Sequence, residues 1–240
     1  FSEQHFGPFE LEVSRTAGRR YDDAVFRATH NSYSGGARGS IVEQLNSGVR
    51  LIELDVHDDD YEDHGDYRIG HDGVDDEVMR GNRNPDSADF TDWINLIDDW
   101  SQTHAGHAPI TLVLDLKDDM VDNRSFAQGN LGALNAKLKT TFGNRIFEAR
   151  DIGARGSDWP VVGALRDRII VVLSGNEDDR RAYLSDPGHS PAVAMNSRGY
   201  VVELHDDGRN WIWYWTGRYQ TATGRIRWTS HARLIRGRDP

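Results

Sequence analysis

Four short apolar runs in this chain end in polar side chains of the types that carry out acid–base and metal chemistry. In chain order these polar residues are His30, Asn31, Glu53, Asp55, His71, Asp115 and Lys117. Imidazoles titrate near neutral pH and can serve as acid or base. Carboxylate and amide oxygens are the ligands that a hard cation prefers. If folding brings the four run ends together, the sequence predicts acid–base chemistry beside a bound cation.

The elements that must position these residues have the pattern of an α/β protein. Apolar runs bounded by turn residues predict buried parallel strands at 25–30, 49–56, 67–71, 110–116 and 168–173. Helical spacing and capping residues predict helices at 40–47, 90–101 and 125–142. Strands that alternate with helices form a parallel sheet, and a βα barrel carries its functional groups at the carboxyl ends of the strands. We therefore expect a TIM-type (β/α) barrel with the site at that end.

The chain changes character after residue 186. Short strand-like runs occur at 191–195, 200–205 and 211–215. The first two are joined only by residues 196–199, which is too short for a helical crossover and predicts an antiparallel hairpin. Two interpretations of the β-rich segment 188–240 stay open. It either completes a distorted, irregularly closed barrel or forms a single β-repeat, since Gly-x-x-Pro recurs at both of its ends.

Glu53 and Asp55 lie two positions apart on one predicted strand, so their side chains point to the same side. Two like charges held in a barrel interior need a cation beside them. Ca²⁺ accepts carboxylate and amide oxygens in loose geometry, so Asn31 fits the set, whereas Mg²⁺ demands tighter octahedral geometry. The alternative is a surface strand with alternating charges. The acidic run 58–63 is expected to be a solvated loop.

Composition narrows the classes of function. The 240 residues suffice for one barrel, and the formal net charge of −11 argues against a nucleic-acid partner, which clustered basic residues would bind. The absence of cysteine excludes disulfides, zinc–thiolate sites and a cysteine nucleophile. No apolar stretch approaches the ~18 residues of a membrane span. The chain begins with Phe1 and has no signal sequence, so we expect a secreted protein whose signal peptide was removed.

The chemical motifs, in their order and spacing, resemble the phosphatidylinositol-specific phospholipase C (PI-PLC) family, and most closely its calcium-dependent bacterial branch. They are Thr-His-Asn at 29–31, a run containing Glu-x-Asp at 44–55, Gly-His-Asp at 70–72 and Leu-Asp-Leu-Lys-Asp at 114–118. The resemblance covers residues 24–175. We interpret the whole chain, 1–240, as one catalytic domain.

The resemblance implies an enzyme that acts on phosphatidylinositol or a related phospholipid. The inositol 2-hydroxyl would attack the phosphate, which gives diacylglycerol and inositol 1,2-cyclic phosphate. His71 would act as the acid, and His30 as the base or as a stabiliser of phosphoryl charge. The alternative is that both histidines only cap strand ends. Such a substrate implies transient contact with a membrane surface, and we expect a monomer.

The resemblance also implies one bound Ca²⁺ ion, held by Asn31, Glu53, Asp55 and Asp115. The family usually has Glu at the fourth of these positions, so the shorter Asp115 would bind the ion directly or through water. The calcium-independent bacterial branch replaces the metal with a basic side chain. Because Asn31, Glu53 and Asp55 are all present, the sequence argues against that branch. Lys117 and Arg68 are the candidate substrate contacts, although a solvated lysine fits the sequence nearly as well.

Two other functions stay open. A metal-dependent glycerophosphodiester phosphodiesterase or a sphingomyelinase-D-like phospholipase would use two histidines with Glu and Asp ligands on the same barrel. The motif at 114–117 suits these enzymes, whereas 29–32 and Trp159-Pro favour PI-PLC. The alternative of another class is an inactive barrel with a glycan-binding tail. The presence of both histidines and of the three main ligands argues against it.

Overall fold

The computed structural model describes residues 16–21, 24, 26–59, 61–118, 120, 130–148, 159–176 and 179, and the backbone of five short strands between 195 and 229. The strands are β1 Arg27–Ala28, β2 Val49–His57, β3 Arg68–Ile69, β4 Ile110–Leu116, β5 Ile169–Gly175, β6 Met195–Asn196, β7 Val202–His205, β8 Arg209–Ile212, β9 Thr216–Gln220 and β10 Arg225–Thr229. The α-helices are α1 Ile41–Asn46, α2 Tyr61–His64, α3 Phe90–Thr103 and α4 Asn130–Phe142. None of these helices is long and apolar enough to span a membrane.

Five strands form a parallel sheet in the order β1-β2-β4-β5-β6. The register pairs Asp55 of β2 with Asp115 of β4, and Asp115 with Ser174 of β5. The carboxyl ends of these three strands therefore lie at one edge of the sheet, as the sequence predicts. Among the strands that the structure describes, the sheet is open, and β1 and β6 do not pair with each other.

The two faces of the sheet contact different layers, which explains the nearly continuous apolar runs of its central strands. On β2, Ile52, Leu54 and Val56 are fully buried in the core that includes α1, α3 and α4. Burial of such a side chain stabilises the fold by about 1.5–3 kcal/mol. On the opposite face, Val113 and Val172 belong to a second apolar cluster. The charged side chains of that face lie from the middle of β2 toward the carboxyl ends of the strands.

Helix α1 begins with the capping box that the sequence predicts. The Glu43 backbone N–H donates to Ser40 Oγ at 3.2 Å, and the Ser40 backbone N–H donates to Glu43 Oε2 at 2.9 Å. Gly48, with φ 89°, follows the helix and lets the chain turn into β2. The predicted helix at 90–101 is confirmed and extends to Thr103 as α3. The predicted helix at 125–142 is confirmed from Asn130 onward as α4, and its first residues lie outside the described part.

The strand predicted at 67–71 is wrong in length and direction. Only Arg68 and Ile69 are extended, and they pair antiparallel with His57 and Val56 at the end of β2. The connection 58–67 is too short for the crossover that a parallel strand requires. It contains the one-turn helix α2, so the acidic run 58–63, expected to be a solvated loop, is partly helical. The chain therefore turns back after β2, as in a hairpin, and this turn brings His71 to the carboxyl edge of the sheet.

The C-terminal segment also departs from the sequence prediction. Met195 pairs in parallel with Val172 of β5, so β6 extends the main sheet, and within the described residues it does not pair with the next run. The antiparallel hairpins join β7 to β8 and β9 to β10. The side of β5 that faces away from β4 accepts β6 beside Val172 and Leu173, as the edge of a sheet can. Most of the predicted run 211–215 and both Gly-x-x-Pro motifs lie outside the described residues.

Candidate active site

The carboxyl edge of the sheet brings polar groups from three adjacent strands into one layer. Asp55, Asp115 and Ser174 are direct neighbours in the strand register. The Ser174 hydroxyl donates to Asp115 Oδ1 at 2.6 Å. Asp55 is almost completely buried, with 2% of its side chain exposed. A carboxylate in that position requires nearby donors or positive charge, because burial alone strongly disfavours its ionised form.

The turn after β1 places His30 and Asn31 directly beside this layer. Asn31 has left-handed backbone angles, φ 44° and ψ 54°, which asparagine tolerates better than most residues. Its backbone N–H donates to Glu53 Oε2 at 2.8 Å. In the reverse direction, the Glu53 backbone N–H donates to Ser32 Oγ at 2.9 Å. The two hydrogen bonds connect the turn to the middle of β2 and hold the turn in register with it.

Sequence reasoning did not identify the residues that support this turn from α1. The Thr29 hydroxyl donates to Gln44 Oε1 at 2.6 Å, and Gln44 Nε2 donates to the Ser32 carbonyl at 2.8 Å. Gln44 is buried on the inner side of α1. A glutamine between apolar helix positions was the only available signal, and such a residue is usually solvated. Tyr33 is also buried here. Burial is the main cause that raises the pKa of its hydroxyl, and the nearby Asp55 charge raises it further.

His71 lies within hydrogen-bond distance of two predicted site residues. Its Nδ1 is 3.3 Å from Asp55 Oδ2 and 3.2 Å from Asn31 Nδ2. When Nδ1 carries a proton it donates to Asp55, and when it does not, the Asn31 amide donates to it. The imidazole is one-third exposed, at 33%. Its Nε2 is 3.8 Å from Oδ1 of the exposed Asp72, so that nitrogen is on the solvent side of the ring.

His30 lies beside the other buried carboxylate of β2. Its Nε2 is 3.6 Å from Glu53 Oε2, and 33% of its side chain is exposed. Burial lowers the pKa of His30, and this effect is larger than the opposing attraction of Asp55. His30 is therefore held in its neutral form near neutral pH. His30 precedes β2 in the chain and His71 follows it. The structure brings His30 beside Glu53 and His71 beside Asp55.

Glu53 is a buried carboxyl group whose pKa is raised. Burial, and then repulsion from Asp55, raises its pKa to about 8, although the Asn31 backbone hydrogen bond acts in the opposite direction. Near it, Asn31 Oδ1 is buried and has no hydrogen-bond partner among the described residues. An unpartnered amide oxygen beside two buried carboxylates is the oxygen donor set that Ca²⁺ accepts. Asn31, Glu53 and Asp55 thus fit the predicted cation.

Lys117 forms ion pairs with Asp115 and Asp55 that the sequence did not predict. The Lys117 ammonium lies 2.9 Å from Asp115 Oδ2 and 3.0 Å from Asp55 Oδ2. Burial alone would lower its pKa, but Asp115 and then Asp55 raise the pKa well above the usual lysine value, so Lys117 stays charged. Both Asp115 oxygens have a partner, since Ser174 donates to the other one. Direct binding of a metal by Asp115 would require it to exchange one of these partners.

Arg68 lies apart from this cluster in every contact that the structure describes. Its Nε is 3.1 Å from Asp89 Oδ1, and in the strand register it is opposite His57. Asp89 immediately precedes α3, so the ion pair ties β3 to the start of that helix. Its assignment as a substrate contact stays a prediction.

The geometry can be compared with known proteins. The family model "Phosphatidylinositol-specific phospholipase C, X domain" matches residues 26–174 of the chain, well over half of its length. No curated protein matches the chain.

Three solved structures show a similar fold. Two are crystal forms of an apo calcium-dependent phosphoinositol-specific phospholipase C from Pseudomonas sp.. One has a TM-score of 0.61 at 19% identity, covering 75% of this chain and 67% of the other. The second has a TM-score of 0.63 at 18% identity, covering 79% and 70%. A Ca²⁺-dependent PI-PLC from Streptomyces antibioticus has a TM-score of 0.52 at 19% identity, covering 68% and 55%.

These matches confirm the predicted TIM-type (β/α) barrel class and the prediction that the chain is an enzyme. The matched segment includes every predicted site residue, from His30 to Lys117. The chain therefore belongs to the phosphatidylinositol-specific phospholipase C X-domain family and is a phosphoric diester hydrolase of that class.

Proposed function

We propose that this enzyme cleaves phosphatidylinositol to diacylglycerol and inositol 1,2-cyclic phosphate, in a Ca²⁺-dependent reaction with His30 and His71 as base and acid. The observation that carries the proposal is the convergence of both imidazoles on Glu53 and Asp55 at the carboxyl edge of the sheet. Two histidines beside two buried carboxylates supply a proton acceptor, a proton donor and cation ligands at one edge of the sheet.

His30 has the properties of the base. Its lowered pKa leaves the imidazole neutral near neutral pH, so it can accept the proton of the inositol 2-hydroxyl. As that proton moves to the imidazole, the 2-oxygen forms its bond to phosphorus. The resulting imidazolium lies 3.6 Å from Glu53 Oε2, and Glu53 stabilises the new charge when a bound cation keeps this carboxyl group ionised.

His71 has the arrangement of the acid. Protonated Nδ1 donates to Asp55, which holds the ring and stabilises the imidazolium. Nε2 on the exposed side can then donate its proton to the departing diacylglycerol oxygen as the phosphorus–oxygen bond breaks. The proton lost by the 2-hydroxyl and the proton gained by diacylglycerol balance, and exchange with water then deprotonates His30 and reprotonates His71.

Asn31, Glu53 and Asp55 are the residues that would hold Ca²⁺. When bound, the ion would lower the pKa of the attacking hydroxyl and offset negative charge on the phosphoryl group. The unpartnered Asn31 Oδ1 and the raised pKa of Glu53 support a cation at this position. The similar Pseudomonas and Streptomyces enzymes are described as calcium-dependent, which supports the same ion here.

The substrate class has support from a further match. The same Pseudomonas enzyme has also been solved as a myoinositol complex, with a TM-score of 0.61 to this chain. Lys117 extends from the carboxylate layer and is 27% exposed, so it can approach a phosphate or an inositol hydroxyl from the side of β4. Transient binding to a membrane surface and a monomeric state belong to this proposal.

The test is a reaction with phosphatidylinositol vesicles, followed by ³¹P NMR, with Ca²⁺ or with EGTA. We expect a five-membered cyclic phosphodiester in Ca²⁺ only. On phosphatidylinositol only the inositol 2-hydroxyl can close that ring, because both glycerol hydroxyls are acylated, so a glycerophosphodiesterase or sphingomyelinase-D-like hydrolysis by water would give an acyclic phosphate. An acyclic phosphate as the first product would overturn the mechanism. If cyclic product also forms in EGTA, Lys117 and not Ca²⁺ would provide the positive charge at the phosphate.

A further inference from the structure

A second polar cluster lies directly behind the proposed acid. His57 is the last residue of β2, two positions beyond Asp55, and only 3% of it is exposed. Its Nε2 is 2.9 Å from the Gly70 carbonyl oxygen. A carbonyl oxygen only accepts hydrogen bonds, so Nε2 carries a proton and donates it. The Gly70 carbonyl belongs to the peptide bond that connects Gly70 to His71.

Asp118 holds the other nitrogen of this imidazole. Its Oδ1 is 3.1 Å from His57 Nδ1, and its Oδ2 accepts the Asp58 backbone N–H at 2.7 Å. Asp118 follows β4 and the site residue Lys117. The contacts therefore run from the end of β4, through the ring at the end of β2, to the loop that carries His71. Since the ring is held on both nitrogens, its direction toward Gly70 is defined.

The peptide between Gly70 and His71 is held at both of its polar atoms. Its oxygen accepts from His57, and the His71 N–H donates to the Asp76 carbonyl at 3.1 Å. Gly70 has no room for a side chain, because a Cβ there would lie 1.9 Å from the Gly73 oxygen. Rotation of this peptide would move the His71 Cα. The imidazole would then leave its contacts with Asp55 and Asn31, at 3.3 and 3.2 Å.

We propose that His57 is a positioning residue for His71, acting through the Gly70 carbonyl, with Asp118 orienting its ring. The inference rests on the proposed function, in which His71 is the acid. Ligand atoms of His57, Asp59 and Asp118 lie within 4.8 Å of one another, which is close enough to hold a metal ion. Both Asp118 oxygens already accept or pair within this cluster, and they account for the arrangement without an ion.

Two substitutions separate positioning from simple packing. In His57→Gln, the amide nitrogen reaches about as far as Nε2 and keeps a donor for Gly70. In His57→Asn, the amide nitrogen reaches about as far as Nδ1 and keeps only the Asp118 contact. We expect His57→Asn to lose about 10- to 100-fold in kcat with little change in KM, as for supporting residues behind a site. We expect His57→Gln to stay within about threefold of wild type at matched Tm.

The ring signals of His71, followed by NMR in both variants, give a readout that does not depend on turnover. They should shift in His57→Asn and stay in place in His57→Gln. If wild type does not cleave phosphatidylinositol, the proposed function fails, and these signals still decide the positioning role. Equal kcat in both variants, or an unmoved His71 signal in His57→Asn, would overturn it. So would a metal ion found at His57 and Asp118 that is required for activity.

Discussion

The Lys117 ammonium lies 3.0 Å from Asp55 Oδ2, the buried carboxylate that also contacts the proposed acid. This lysine supplies one positive charge to a site in which the sequence predicts a divalent cation. Lys117 and a bound Ca²⁺ would both offset the charge of Asp55. Loss of either one should therefore destabilise the site less while the other is present. The stability of the carboxyl edge should therefore depend both on Lys117 and on whether the metal ion is bound.

Replacing Lys117 by methionine should make the protein depend on Ca²⁺ for stability. The change leaves Asp55 and Asp115 without their counter-charge, which should lower the free energy of unfolding by about 1–3 kcal/mol in EGTA. Ca²⁺ should restore more stability to Lys117→Met than it adds to wild type. Thermal unfolding with and without Ca²⁺ measures this. In the control Lys137→Met, which removes an ion pair with Asp66 away from the site, Ca²⁺ should give no such rescue.

Removal of either proposed catalytic imidazole should nearly abolish turnover. We expect His30→Ala and His71→Ala each to reduce kcat by at least ~10²-fold, the usual contribution of general acid–base catalysis. His64→Ala, on an exposed position of α2, is the matched control and should keep wild-type activity. A folded His30 or His71 variant with near-wild-type kcat would remove that histidine from the mechanism.

Metal dependence should differ between Asp55 and Asp115, because both Asp115 oxygens have described partners, whereas the contacts described for Asp55 with Lys117 and His71 both involve Oδ2. Chelation should abolish activity, and Asp55→Asn should raise the Ca²⁺ concentration needed for half-maximal activity, because it removes one ligand charge. Asp115→Asn should raise it less, since Asp115 is paired with Lys117 and Ser174. A crystal structure grown in Ca²⁺ with no ion near Asn31, Glu53 and Asp55 would rule out this site. Equal shifts for both variants would place Asp115 among the direct ligands.

The pH dependence of stability without metal should reflect Glu53. Its pKa is raised from 4.5 to about 8, so the folded protein binds a proton that the unfolded chain has released between these values. The contribution of the protonated carboxyl is therefore fully present below about pH 4.5 and is lost as the pH rises through about 8. In EGTA, Tm should fall between pH 5 and 8 for wild type and fall less for Glu53→Gln. Parallel curves for the two proteins would contradict the raised pKa.

The C-terminal segment should be necessary for solubility. We propose that part of 188–240 completes the barrel, because β6 already pairs with the edge of β5. A chain that ends at residue 185 would expose this edge and should aggregate. A chain that ends at residue 200 keeps β6 and should be more soluble, as size-exclusion chromatography would report. Soluble, fully active protein ending at residue 185 would favour the separate β-repeat.

The sequence alone determined the local elements and the types of residue in the site. The capping box of Ser40 and Glu43, the helix at α3 and the central strands follow from short-range periodicity and hydrogen bonding, which neighbouring residues define. His30, Asn31 and the Glu53–Asp55 pair were recognisable because polar groups at strand ends meet at one edge of a parallel sheet.

Only the tertiary structure decided how these groups are paired. The antiparallel β3, the ion pair of Arg68 with Asp89 and the position of Lys117 between two carboxylates depend on strand order and register. No local pattern distinguishes His57, and only the fold places it against the Gly70 carbonyl. Such contacts join residues far apart in the chain, and their energies depend on burial, which no local pattern specifies.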